Sequence, residues 1–153
     1  MKTEKRSSPV KYTVDEPTLH QFSDYQVQYA TDVQLVDSSQ KGLAATAALD
    51  FIDMSGFSQL EFQRTFKTTV KTIQNYVSQH LKLDAAISEK LLKSFALFEK
   101  GIQLFGSAQA FYQWLNQPAY GLGDRVPYQM METVTGMMLI DDELTRLEYG
   151  DLA

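Results

Sequence analysis

The residues best suited to acid–base, nucleophilic or metal chemistry are few and scattered. The chain of 153 residues has two histidines, His20 and His80, and no cysteine. Neither histidine is accompanied by an acid and a nucleophile in a triad-like pattern, and no ligand spacing typical of a metal site occurs. Asp141, Asp142 and Glu143 are consecutive, so in a helix their side chains diverge by about 100° each. This inventory predicts a protein that is not an enzyme and uses no metal or cofactor.

The composition is that of an ordinary folded protein. Hydrophobic residues make up 44% of the chain and charged residues 22%, which are typical globular values. The apolar run at residues 137–140 is far shorter than the roughly 20 residues that a membrane helix needs. The basic start of the chain is not followed by an apolar segment, which argues against a secretory signal. Together with the absence of cysteine, this predicts a cytoplasmic protein with no membrane partner.

The acidic charge is concentrated at one end. Residues 1–100 contain twelve basic and twelve acidic side chains, whereas residues 101–153 contain two basic and seven acidic ones. The whole net charge of −5 therefore lies beyond residue 100. An acidic end repels nucleic acid and suits a basic protein partner, although a merely solubilising surface has the same composition.

The first third of the chain gives weak signals. Residues 1–30 show no sustained hydrophobic period and contain two prolines, so we predict an arm or a loosely held extension. Residues 33–36 are compatible with a strand or with one helical turn. The alanine-rich residues 43–54 favour a helix, which Gly56 should end.

Two capped helices should follow. Ser58 and Glu61 have the spacing of a capping box, which predicts a helix to about residue 66 that buries Leu60 or Phe62. After a break at residues 67–68, Thr69 can cap a third helix. Its apolar positions are Val70, Ile73 and Val77.

The remaining helices are marked by long apolar stripes. The clearest stripe has six members spaced by three or four residues, namely Ile87, Leu91, Phe95, Phe98, Ile102 and Phe105. Gly106 should end this helix, and Ser107 and Thr133 should cap the two that follow. Asp142 and Arg146 have the spacing of a surface ion pair on the last helix. We expect Phe105, Phe111 and Trp114 to pack in the core and the fold to be all-α.

The segment of residues 57–77 has the pattern of a helix-turn-helix, whose second helix enters the major groove when it binds DNA. The outward positions of that helix carry side chains that can contact bases or phosphates, namely Lys71, Thr72, Gln74 and Asn75. Arg64 and Lys67 are candidate phosphate contacts nearby. Helix pairs of this kind are common in helical domains, so a purely structural role stays open.

A run of rarer residue types characterises the C-terminal half. It comprises Leu104-Phe105-Gly106, Ala110, Trp114-Leu115-Asn116, Pro118-Ala119, Leu122-Gly123, Arg125, Pro127 and finally Leu147-Glu148-Tyr149-Gly150. In order and spacing this run resembles the domain shared by the Xre/MbcA/ParS antitoxins. The family typically carries a second Gly and a Thr where this chain has Asp124 and Val126, and Tyr120-Gly121 resemble an insertion or a variant turn.

The resemblance implies a domain organisation. It covers about 50 residues closely and, more loosely, residues 33–153. We therefore predict an N-terminal arm or extension at 1–32, an Xre-like helix-turn-helix domain at 33–83, and a small helical toxin-binding domain at 84–153.

The resemblance also implies partners. Members of this family are type II antitoxins that bind RES-domain toxins, which consume NAD or transfer ADP-ribose from it. The residues predicted to contact such a toxin are Arg125, Asp142, Glu148, Tyr149, Gly150 and Asp151. The tail would enter the active-site cleft of the toxin, whereas the alternative for this tail is a frayed terminus. We also expect a homodimer that binds operator DNA and represses its own operon. A stand-alone transcription regulator or an adaptor without a toxin is the competing hypothesis.

Overall fold

Helices form all the regular secondary structure in the part of the chain that the computed structural model describes, residues 16–150. Two isolated β-bridges, but no strands, occur in this range, so the all-α prediction is confirmed. The elements are α1 (Glu16–Ser23), η1 (Gln26–Gln28), α2 (Asp32–Lys41), α3 (Thr46–Ser55), α4 (Gln59–Phe66), α5 (Val70–Ser78), α6 (Ala85–Phe105), α7 (Ala108–Leu115), η2 (Tyr120–Leu122), α8 (Pro127–Met130) and α9 (Val134–Glu148), where η denotes a 3-10 helix.

The helix ends follow the capping residues. The Ser58 hydroxyl accepts a hydrogen bond from the Glu61 N–H at 3.1 Å, and the Glu61 carboxylate accepts one from the Ser58 N–H at 3.0 Å. Thr69 and Thr133 cap α5 and α9 in the same way, with side-chain oxygens that accept from backbone N–H groups. Gly106 ends α6 in the left-handed region, with φ of 98°. The predicted caps are confirmed because each needs only residues within one helical turn.

The apolar positions left open by the sequence are resolved by packing. Phe62 is fully buried, whereas Leu60 is 72% exposed. Residues 33–36 belong to helix α2, which Thr31 caps through the Gln34 N–H. Leu35 of that helix is buried, while Val33 and Val36 are exposed.

Helix α6 is the centre of the molecule. It packs against α1, α2, α7 and α9, and also contacts α3 and α4. The predicted stripe is buried from Leu91 to Ile102, but Leu92 and Leu97 on other sides of the helix are buried too. A helix that buries residues on more than one face lies inside the fold and is surrounded by its neighbours.

Aromatic rings fill the space around α6. The ring centroid of Phe51 on α3 lies 5.5 Å from those of both Phe95 and Phe98, with the planes nearly perpendicular. Phe111 is fully buried and contacts Phe98 in the same way at 4.8 Å. Trp114 is half-buried on Phe111, at a centroid distance of 5.9 Å. Edge-to-face and offset-stacked ring pairs contribute about 0.5–1.5 kcal/mol each beyond the burial of their apolar area.

The prediction of a loosely held arm is wrong for residues 19–29. Phe22 is fully buried, and its ring stacks on Phe98 with a centroid distance of 5.3 Å. The Tyr25 ring stacks on Phe95 at 4.0 Å, and its hydroxyl donates to the Asp50 carboxylate at 2.6 Å. Residues 1–15 of the predicted arm lie outside the described residues.

Tyr29 fastens the end of the same segment. Its hydroxyl donates a hydrogen bond to the Glu99 carboxylate of α6. Burial, the hydrogen bond and the neighbouring carboxylate raise the pKa of Tyr29 well above its ordinary value. The isolated aromatic residues of this mostly polar segment thus contact helices that lie far along the chain.

The two predicted functional domains share one core. The buried hydrophobic residues of α3–α5 and of α6–α9 form a single cluster. The connection before α6 is also fixed, because the Leu83 N–H donates to the Leu43 carbonyl at 2.8 Å and the Leu43 N–H to the Ser88 hydroxyl at 3.0 Å. Boundaries after residues 32 and 83 remain a prediction about functional units.

Candidate partner and nucleic-acid interfaces

Helices α4 and α5 form the pair that the sequence predicted as a helix-turn-helix. The turn between them contains Lys67 in the left-handed region, with φ of 58°, a position where glycine is the usual residue. Ile73 faces the core with 1% exposure. Consequently the opposite side of α5 is free to contact another molecule.

The four predicted base-contacting residues are all exposed on α5, namely Lys71, Thr72, Gln74 and Asn75. Thr72 is partly engaged, since its hydroxyl lies 3.0 Å from that of the capping Thr69. Their grouping on one helix is compatible with groove contact, which stays a prediction.

The two predicted phosphate contacts hold a carboxylate of this same chain. Arg64 Nε lies 2.9 Å from Glu132 Oε1, and Lys67 Nζ lies 3.3 Å from Glu132 Oε2. These hydrogen bonds, from Arg64 first and then from Lys67, lower the pKa of Glu132 below its ordinary value. Glu132 lies in the turn between α8 and α9, so the ion pairs join the α4–α5 pair to the C-terminal region.

Lys90 of α6 lies behind this group. Its ammonium donates to the Glu132 carbonyl at 2.7 Å and also to the carbonyl of Thr65 near the end of α4. Burial, and then the nearby positive charge of Lys67, lower the pKa of Lys90. Lys90 therefore links the backbone of α4, at Thr65, to the backbone of the turn that carries Glu132.

A second link joins the start of α4 to the C-terminal helices. The Tyr112 hydroxyl donates to the Glu61 carboxylate at 2.8 Å, and the Tyr128 hydroxyl donates to the Glu61 carbonyl at 3.3 Å. Burial is the main cause that raises the pKa of both tyrosines. Glu61 thus serves as a capping residue and as an acceptor for α7 and α8.

The loop around η2 explains Arg125. Its guanidinium donates to the Leu122 carbonyl at the end of η2 at 3.1 Å, as expected for a cation at orphan carbonyls. Asp124 adopts the left-handed region with φ of 59°, which Asp tolerates better than most residues. Arg125 is exposed but is engaged in shaping this loop, and its contact with a toxin stays a prediction.

The predicted pair of Arg146 with Asp142 is wrong. Arg146 instead binds Glu143 through two hydrogen bonds, Nε to Oε2 at 2.9 Å and Nη2 to Oε1 at 2.6 Å. Glu143 is only 5% exposed, because the η2 loop covers it. A Cβ at Gly121 would lie 1.9 Å from Glu143 Oε2, so the glycine in this variant turn permits the close approach. The guanidinium is attracted to the more buried carboxylate, where screening by water is weaker.

The end of α9 is open to solvent. Tyr149 is 81% exposed, and Glu148 and Gly150 beside it are exposed as well. A large aromatic side chain this exposed at the end of an ordered helix is available to a partner. Asp151, the last of the predicted toxin contacts, lies outside the described residues.

Asp142 lines an open cleft of about 340 Å³ between α2, α6 and α9. Apolar side chains, including Leu97 and Met138, form part of its wall, and Asp32 and Asp141 add two further carboxylates. Lys93 also lines the cleft. The cleft is therefore part apolar and part acidic, and two of its three carboxylates, those of Asp141 and Asp142, belong to the acidic region beyond residue 100.

The structure brings some predicted residues together and adds others. Asp142, Glu148 and Tyr149 share helix α9 and its end, and Arg64 and Lys67 share one carboxylate. Glu132 and Lys90 were not predicted, because their partners lie 25 or more residues away in the chain. No local sequence signal marks such a cluster.

No group of three or more His, Cys, Asp or Glu side chains between residues 16 and 150 is arranged to hold a metal ion. No helix within the same residues is long and apolar enough to cross a membrane.

The C-terminal region of the chain is similar to known proteins. Residues 100–150 match the family described as the antitoxin Xre/MbcA/ParS C-terminal toxin-binding domain. The protein named antitoxin Xre from Yersinia enterocolitica is 33% identical over 64 residues, which are 41% of this chain and 43% of the relative. The antitoxin Xre of Photorhabdus laumondii is 23% identical over 111 residues, 72% of this chain and 75% of the relative.

The matches cover part of this chain and part of each relative. The chain spans less than half the length of the Yersinia relative and three quarters of the Photorhabdus one. The family match begins near the end of α6 and includes α7, η2, α8 and α9. Arg125, Glu132 and Tyr149 lie in the turns between these helices or at the end of α9. Through residues 100–150, the chain is similar to the toxin-binding domain of the Xre/MbcA/ParS antitoxins.

Proposed function

We propose that this protein is a non-enzymatic antitoxin that neutralises a RES-type toxin by binding it and blocking its active-site cleft. The observation that carries the proposal is the match of residues 100–150 to a toxin-binding domain. The charge supports it, since seven of the nine charged side chains beyond residue 100 are acidic and suit the basic cleft of an enzyme that binds NAD.

The contact surface would comprise the exposed side of α9, the end of that helix and the loop after η2 that carries Arg125. Tyr149 offers a rigid aromatic anchor of the kind enriched at interface hot spots, and Asp142 and Glu148 offer charges at its rim. These three residues, with Arg125, Gly150 and Asp151, are our proposed toxin contacts. Charged residues at the rim of an interface mainly raise the association rate. An aromatic anchor that becomes buried in the complex, as proposed for Tyr149, mainly determines the dissociation rate.

Truncation of the chain after Leu147 tests this surface. Buried Leu144 and Ile140 remain in place, so the truncated chain should fold, yet we expect it to lose rescue of growth when the toxin is co-expressed. The point variant Tyr149→Ala should weaken the complex by about 2 kcal/mol or more, as for a hot-spot aromatic. Rescue assays and titration calorimetry with the purified toxin would measure both effects.

A control variant shows whether the loss of a surface carboxylate elsewhere on the protein affects neutralisation. Asp53 is exposed on α3, outside the matched domain, and Asp53→Asn should neutralise the toxin like the parent protein. Normal neutralisation by the truncated chain would contradict the tail mechanism. Pull-down of the neighbouring gene product, followed by an NAD-consumption assay with and without this chain, tests whether the toxin is of the RES type.

We further propose that α5 binds operator DNA, as part of a homodimer that represses its own operon. The exposed Lys71, Thr72, Gln74 and Asn75 on one helix, with Arg64 and Lys67 at its entry, support this second activity. The double variant Lys71→Ala/Gln74→Ala should weaken binding to the chain's own promoter by at least tenfold, since one good base contact contributes about 1–3 kcal/mol. Unchanged binding in a gel shift would rule out α5 as the recognition helix.

A cytoplasmic stand-alone regulator or adaptor without a toxin is the alternative. It would share the DNA-binding behaviour but not the rescue of growth. The presence of an adjacent reading frame for a RES-type protein favours the antitoxin, and a failure of all co-expressed neighbours to bind would favour the regulator.

A further inference from the structure

The cations at the entry to α5 form a cradle that an internal carboxylate fills. We define the cradle as Arg64 and Lys67, with Glu132 as its occupant. Each oxygen of the Glu132 carboxylate receives one cation, at 2.9 and 3.3 Å. Two cationic donors that each contact one of two anionic oxygens are also the arrangement that binds the non-bridging oxygens of a phosphodiester.

The occupant is held more firmly than the cations. The backbone carbonyl of Glu132 accepts the Lys90 ammonium at 2.7 Å, and the next residue, Thr133, caps α9. The side chains of Arg64 and Lys67 are 57% and 63% exposed. They can therefore swing to another anion in solvent while the backbone of Glu132 stays in place.

The location of the cradle fits nucleic acid. Lys67 lies two residues before Thr69, the N-cap of α5, and the exposed face of α5 is the proposed base-reading surface. DNA-binding proteins place phosphate contacts at such helix entries, and these contacts position the recognition helix. The cluster also has excess positive charge, because Arg64 and Lys67 pair with the Glu132 carboxylate and the Lys90 ammonium binds the backbone carbonyl of the same residue.

We propose that the Arg64–Lys67 cradle is a DNA phosphate site and that Glu132 occupies it as an internal phosphate mimic which competes with DNA. This inference rests on the proposed DNA binding. Glu132 would keep the affinity for any DNA low, because a phosphodiester must displace a carboxylate that belongs to the same chain. Removal of the carboxylate should release two cations for phosphate contact.

The test compares Glu132→Gln with Asp124→Asn, which removes one exposed carboxylate from the same region at a left-handed position that Asn tolerates. Fluorescence anisotropy would measure binding to a labelled promoter duplex and to an unrelated duplex of equal length. The salt concentration would be varied from about 50 to about 200 mM, because phosphate contacts make the affinity depend on salt over this range.

Glu132→Gln should bind both duplexes roughly three- to tenfold more tightly at the lowest salt concentration. The slope of log affinity against log salt concentration should also become steeper by about one to two. Asp124→Asn should differ from the parent by less than about twofold, as for a screened surface charge.

The cradle itself is tested by a double variant. Addition of Lys67→Ala to Glu132→Gln should remove most of the gain, because the released cation is then missing. Glu132→Ala serves as a second variant, and thermal unfolding by circular dichroism checks that each variant is folded. A gain that survives the loss of Lys67 would overturn the proposed cradle.

The outcomes distinguish this proposal from the proposed function. Equal binding of promoter and unrelated duplex by the parent, with tighter binding of both by Glu132→Gln, supports the cradle and refutes operator recognition. If Glu132→Gln equals Asp124→Asn, or binds more weakly than the parent, or binds no duplex at all, the internal mimic is refuted whatever the promoter experiment shows.

Discussion

Replacement of Phe22 by alanine is expected to destabilise the protein by about 3–5 kcal/mol, the cost typical of a phenylalanine removed from a packed core. The ring is fully buried and contacts both Phe95 and Phe98 of α6. Because α6 packs on most of the other helices, a cavity at this point weakens the centre of the fold. Urea unfolding followed by circular dichroism would measure the change.

Two other variants of the same segment calibrate this result. Phe22→Leu keeps much of the volume and should cost less than half as much. Val27 is 74% exposed, so Val27→Ala should change the free energy of unfolding by less than about 0.5 kcal/mol. If Phe22→Ala resembled Val27→Ala, the first helix would be a detachable arm after all.

The second large effect is expected for Arg146→Met. Glu143 is 5% exposed and receives two hydrogen bonds from the guanidinium, whose own side chain is 24% exposed. Methionine keeps much of the apolar stem but leaves a buried carboxylate without that partner, which costs about 3 kcal/mol when a buried pair is broken on one side. The midpoint of urea unfolding at neutral pH would report the loss.

The double variant Glu143→Gln/Arg146→Met identifies the cause. Without the negative charge the uncompensated burial disappears, so the double variant should recover part of the stability that Arg146→Met loses. Glu148→Gln on the same helix is exposed and should have little effect. A double variant no more stable than Arg146→Met would contradict the explanation by an uncompensated Glu143 charge.

The sequence alone determined where most helices begin and end. The capping box of Ser58 and Glu61, the caps Thr69 and Thr133, and the stop at Gly106 were all predicted, because each depends on hydrogen bonds or dihedral angles within a few residues. The family of the C-terminal region could also be inferred, since the motif from Phe105 to Gly150 is a matter of residue order and spacing. These features need no knowledge of what packs against them.

The candidate site could be predicted only in part, because some of its contacts join residues that are far apart in the sequence. The exposure of Lys71, Gln74 and Tyr149 follows from the faces of the helices on which they lie. The partners of Arg64 and Lys67 do not, since Glu132 is more than 60 residues away. Long-range ion pairs leave no local pattern that a sequence could reveal.

Only the tertiary structure decided which side chains meet. It placed Phe22 in the core although its neighbours are polar, because the rings of α6 offered a buried surface that local periodicity cannot represent. It paired Arg146 with Glu143 rather than Asp142, because the η2 loop covers one carboxylate and leaves the other in water. Local hydrogen bonds specify helices from sequence, whereas burial and charge pairing depend on residues that become neighbours only when the helices pack.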